Sequence, residues 1–183
     1  MQEPQKTKVF SVRNLVAMAV FAALSVVLVW LVHFPIFPAT PFLEYDPADV
    51  TILMSGFLFG PLSGFAVTLV ASTVQAFTVS ARSGLYGLIM HLIATGTLVM
   101  VSSVVYKKFK TSKGAIVALL LGSFAMTAVM IPANLLVTPL FTGWPVQDVI
   151  GLLHFIVLFN LIKALGNSLL TFLLYKRVGG LLK

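Results

Sequence analysis

Residues 159–168 read FNLIKALGNS and lie inside an apolar stretch running from about Val149 to Tyr175. Asn160, Lys163 and Asn167 stand at i, i+3 and i+7, so on a helix they form one polar stripe. An ammonium near the middle of a membrane-length apolar run costs about 2.5–3.5 kcal/mol on insertion scales. It persists there only if it faces a partner or a polar cavity. A lysine flanked by carboxamides suits a ligand rich in acceptor oxygens or ring nitrogens. The structural alternative is that Lys163 bonds backbone carbonyls and glues helices together. Asn134 follows Pro132 by two residues and adds a second donor–acceptor pair. The proline frees a carbonyl and bends its helix, although asparagine also serves as a plain interhelical hydrogen-bonder. By residue count Asn134 lies nearer one surface than Lys163, so a site shared by both must be elongated.

The remaining polar residues read as less informative. Gln75, Thr78 and Ser80 fall near the outer end of a predicted span and could line the same cavity, but a water interface accounts for them. His33, His91 and His154 have no metal-ligand spacing to one another or to carboxylates, and read as packing residues. No aspartate or glutamate falls in the core of a predicted span. That argues against a proton relay or cation pathway and leaves Lys163 facing amides rather than carboxylates. The chain has no G-x-x-x-x-G-K-[ST], H-E-x-x-H or G-x-S-x-G. If ATP drives its work, the ATPase is another chain.

The elements that must carry these residues follow from composition. Of 183 residues, 59% are hydrophobic and 9% charged, too little charge for a soluble surface of this size. Several apolar runs reach the roughly 20 residues that cross a bilayer as helix. The expected fold is therefore an all-α integral membrane protein in a single transmembrane domain, residues 1–183. Its six predicted spans are about 11–33, 48–59, 61–79, 85–106, 114–138 and 147–175. The segment 34–47, FPIFPATPFLEYDP, holds four prolines and cannot be helical throughout, so it is a loop, and an oily one. FGPLSG at 59–64 divides the second span from the third.

Six spans put both termini on one side. Lys6, Lys8, Arg13, Lys107, Lys108, Lys110, Lys113, Lys176, Arg177 and Lys183 all fall there, which makes that side cytoplasmic. Glu44, Asp46, Asp49 and Asp148 fall opposite, with Arg82. The net charge of +7 thus reports topology and not a nucleic-acid partner. Zero cysteines exclude disulfides and thiolate chemistry. The first apolar run is too long for a signal-peptide core and reads as a retained helix. Within it, Ala19 and Ala23 are four apart in AMAVFAAL, a small-xxx-small face suited to close helix approach, internal or external.

Four stretches carry a resemblance across nearly the whole chain: AMAVFAAL at 17–24, PFLEYDPADVTILMSGFLFGPLSG at 41–64, PANLLVTP at 132–139 and FNLIKAL at 159–165. The chain resembles the substrate-binding S components of energy-coupling factor (ECF) vitamin transporters, in particular their riboflavin-binding RibU group. The resemblance implies six helices, a substrate pocket in the outward half and a loop after the first helix acting as lid. It implies that Asn134, Asn160 and Lys163 contact the flavin, that Leu43 is the lid's apolar contact, and that Ala19 and Ala23 meet a transmembrane coupling protein. The position of His91 is more often asparagine in that pattern.

The expected function is a riboflavin-capture subunit in a prokaryotic plasma membrane. It would work with a coupling (T) component and two ATPase subunits, with no cofactor and no covalent chemistry of its own. The rivals are an S component for another vitamin or precursor, a small integral-membrane lipid enzyme, and an assembly subunit without its own ligand, against which Lys163 argues. The second lacks intramembrane acid–base candidates.

Overall fold

The computed structural model describes residues 11–81 and 83–181; Lys6, Lys8, Arg82 and Lys183 of the topology argument lie outside them. Its element order is α1 (Val12–Leu31), β1 (Phe34–Pro35), β2 (Glu44–Tyr45), α2 (Ala48–Phe59), α3 (Pro61–Phe77), α4 (Gly84–Lys108), α5 (Ser112–Thr142), α6 (Val146–Gly151) and α7 (Leu153–Leu181). The all-helical expectation holds apart from one small ladder. β1 and β2 pair antiparallel, Phe34 with Tyr45 and Pro35 with Glu44, and pin together the two ends of the proline-rich loop.

Among the described residues, four helices are long and apolar enough to cross a membrane: α1, α4, α5 and the Leu153–Tyr175 stretch of α7. At 1.5 Å per residue, the 20 residues of α1 match a hydrocarbon core of about 30 Å. α2 and α3 are shorter apolar helices of 12 and 17 residues.

Local chemistry sets the boundaries. Ser11 caps α1 by accepting from the Asn14 backbone N–H, and Thr111 caps α5 by accepting from Gly114. Gly60, at φ +100°, makes the sharp reversal between α2 and α3, and Pro61 begins α3 where a missing donor costs nothing. Two boundaries differ from the predicted ones. α5 runs on through Pro132 and Pro139 to Thr142, because membrane helices tolerate proline where neighbours satisfy the freed groups. The predicted 147–175 helix breaks at Leu152 into α6 and α7.

α4 packs on α3 and α5, α7 on α5 and α2, and α2 sits among α1, α3, α4 and α7. That central place is visible in burial: every residue of α2 from Ala48 to Gly56 is buried, including Asp49. The surface is the reverse of a soluble protein's. Val16, Val20, Trp30, Leu69, Leu136 and Leu173 are exposed, while Asp49, Thr95, Asn134, Asn160 and Asn167 are not. An apolar outside around a polar inside is what lipid as solvent selects.

Candidate functional site

The proline-rich loop folds back over the bundle. Leu43 packs with Val149, Ile156 and Phe159 of α6 and α7, and Ile36, Phe37 and Phe42 lie against the same cluster. Aromatic contacts hold it down: Phe37 to Phe155 at 5.3 Å between ring centroids, Phe42 to Trp144 at 6.1 Å. Beneath the loop lies a cavity of about 120 Å³. Phe42, Leu43 and Asp46 contribute its roof, Asn160 and Lys163 one wall, and Gln75, His91 and neighbours on α3 and α4 another. Met90, Ala94, Met126 and Met130 supply apolar surface.

Three of the predicted binding residues, Leu43, Asn160 and Lys163, therefore line one cavity. Asn134 does not reach it directly. Its side-chain nitrogen donates to the Met130 carbonyl at 2.8 Å and its oxygen accepts from Thr138 at 3.1 Å. Thr138 in turn meets the hydroxyl of Tyr86, a cavity residue, at 3.1 Å. Asn160 spends its side-chain nitrogen on the Ile156 carbonyl, 2.8 Å away. Ala19 and Ala23 are both exposed, so the small-residue face of α1 points out of the bundle.

The expectation that Lys163 faces amides without carboxylates is corrected. Its ammonium donates to Asp46 Oδ2 at 2.6 Å, and both groups are buried. The other oxygen of Asp46 accepts from the Ala48 backbone N–H at 3.0 Å, so one carboxylate starts α2 and holds α7. Asn167 completes the junction: it donates to the Asp46 carbonyl and to Asp49 Oδ2, each at 2.9 Å. It also accepts from the Tyr45 hydroxyl at 3.0 Å. Burial, with the carboxylates of Asp46 and Asp49 close by, raises the Tyr45 pKa above its ordinary value, so the phenol remains a donor. Asp49 takes a further bond from Thr95 at 2.6 Å, and His91 Nε2 stands 3.5 Å from it.

Asp46 and Asp49 were expected at a water-facing surface; they lie inside because their loop turns inward. A signal for this was present in the sequence. Two carboxylates three apart, at the start of a helix with no polar face, need cationic company, and the chain has one intramembrane lysine. Gln75 and Ser80, expected at an interface, line the cavity, as does His91, expected to be a packing residue. No group of His, Asp or Glu among the described residues could hold a metal ion.

Comparison with known proteins settles the family. The model of the ECF transporter substrate-specific component matches residues 13–175. This chain belongs to that family. It is 32% identical over 134 residues to the riboflavin transporter FmnP of Bacillus subtilis (strain 168), covering 72% of this chain and 70% of the relative. It is 30% identical to the riboflavin transporter RibU of Streptococcus thermophilus, over 89% of this chain and 81% of the relative. RibU of Staphylococcus aureus is 27% identical over 93% of both chains. A solved S component of a bacterial ECF transporter superposes with a TM-score of 0.80 at 29% identity, covering 93% of this chain and 98% of the other. Such S components are transport subunits and not enzymes.

Proposed function

We propose that this S component captures riboflavin and delivers it across the plasma membrane of a prokaryote, driven by a T component and two ATPase subunits. The observation that carries the reading is the cavity under the Phe42–Asp46 roof, apolar for most of its lining, with Asn160 and Lys163 together on one wall. A flavin has a flat tricycle with an apolar end and a uracil-like edge of carbonyls and N–H, plus a polyhydroxy tail. Convergent polar groups in a largely apolar cleft suit that chemistry. The names of the relatives point to the same ligand.

At about 120 Å³ the cavity is smaller than the roughly 300–1,000 Å³ of small-molecule clefts, so the roof must lift or the methionines must shift to admit the ring system. The loop 34–47 is the natural lid, with Leu43 as its apolar contact. Asn134 acts on the ligand through Thr138 and Tyr86, or directly once the cavity expands. In this reading α2 and α3 complete six spans, both termini are cytoplasmic, and residues 1–183 form one transmembrane domain. The exposed Ala19 and Ala23 form the face that meets the T component.

The test is direct. Purified protein should carry yellow flavin absorbance or bind added riboflavin tightly, with quenching of flavin fluorescence. Protein that binds thiamin, biotin or pantothenate in preference to riboflavin would overturn the assignment of the vitamin while leaving the family untouched.

A further inference from the structure

Gln75 carries a polar group that the protein leaves unused. It is 4% exposed, lines the cavity, and its side-chain nitrogen has no hydrogen-bond partner among the described residues. Its backbone carbonyl is occupied, accepting from the Thr78 and Ser80 N–H groups that close α3. Leaving a buried amide donor unsatisfied keeps its full desolvation penalty, so such a group beside a cavity is poised for a guest's acceptor. Its surroundings are hydroxyl-rich. Ser72 lies three residues before it on the same helical face and bonds His91 Nδ1 at 3.3 Å, and Ser80 and Ser83 line the cavity beyond the helix end. The amide and lysine of the other polar wall stand on α7, which packs on α2 and α5, whereas α3 packs on α1, α2 and α4. The cavity thus has two separate polar walls with methionine and alanine between them.

Building on the riboflavin reading, we infer that Gln75 donates to a hydroxyl oxygen of the ligand's polyhydroxy tail, while the α7 wall takes the ring edge. Gln75 is then a ligand-contacting, specificity-determining residue that separates tailed flavins from the bare tricycle. A poly-alcohol can both accept from the amide and donate to serine oxygens, which the hydroxyl-lined wall requires. The bare ring would leave that wall without partners.

The experiment titrates purified full-length wild type and Gln75→Met with riboflavin and with lumiflavin, which has a methyl in place of the tail, and records ligand-free thermal unfolding. Gln75→Met should weaken riboflavin binding roughly 5- to 100-fold and lumiflavin binding by less than about twofold. Its ligand-free unfolding midpoint should be unchanged or higher, because the amide nitrogen it removes makes no bond among the described residues. A structural amide would instead lower that midpoint. Riboflavin affinity equal to wild type overturns the contact, and equal loss with both flavins overturns the tail assignment. If wild type binds neither flavin, the proposed function itself fails. Should Gln75→Met not accumulate, Gln75→Asn shortens the reach by one methylene and must show the same selective loss.

Discussion

At the scale of single residues, Lys163 has two claims upon it. It lines the cavity, and it is already paired with Asp46 at 2.6 Å. Removing one member of a buried pair leaves the other charge uncompensated, which costs about 3–5 kcal/mol, whereas replacing both by apolar groups is often neutral or better. Lys163→Met should therefore lower the unfolding midpoint of the ligand-free protein, and adding Asp46→Leu should restore only part of it, because Asp49 stays buried without a cation and the Ala48 N–H loses its acceptor. Flavin titration of the double variant then separates the roles. If Lys163 also serves the ligand, binding stays as weak as in the single variant although part of the stability has returned. Asn167 is a purer case of internal wiring: it is fully buried and bonds Tyr45, Asp46 and Asp49. Asn167→Leu strands a carboxylate oxygen and a phenol, and should cost about 1–3 kcal/mol in thermal or denaturant unfolding.

Among elements, the placement of α2 decides the site, because it carries Asp49 at its start and touches both α4 and α7. Its approach to α4 depends on glycine. A Cβ on Gly56 would fall 2.8 Å from Val99 Cγ2 and closer still to the Ser103 hydroxyl, so Gly56→Val should push the two helices apart. We expect about 1–3 kcal/mol of destabilisation, read as a lower unfolding midpoint. Gly151→Ala, where a Cβ would meet nothing within 4 Å, should leave that midpoint unchanged. The short β1–β2 ladder works at the same scale. By joining Phe34 to Tyr45 it fixes where the loop re-enters the bundle, which brings Asp46 within reach of Lys163.

For the molecule as a whole, the proposed coupling face of α1 can be tested apart from binding. Ala19 and Ala23 are exposed and far in sequence from the cavity residues, so a bulky side chain there should disturb no internal packing. Ala19→Trp should leave riboflavin binding and unfolding of the isolated chain within error of wild type. In reconstituted vesicles containing the T component and ATPases, uptake should fall at least about tenfold, because close helix approach depends on small residues. Uptake at the wild-type rate would remove α1 from the coupling interface.

Membrane class, helical architecture and the polar character of α7 were legible in the chain because they depend on local quantities: apolar run length, proline and glycine punctuation, and the spacing of Asn160, Lys163 and Asn167. Even the separation of α2 from α3 followed from FGPLSG. What local reading could not reach was partnership. Asp46 meets Lys163 across 117 positions, and Asp49 meets Asn167 across 118. Those meetings depend on a loop whose prolines say only that it is not a helix, and whose oily residues and carboxylates call for a partner without saying which one. For the same reason Gln75 looked like an interfacial residue. A helix end faces water or a cavity according to what folds over it, and long-range packing of the roof makes that choice.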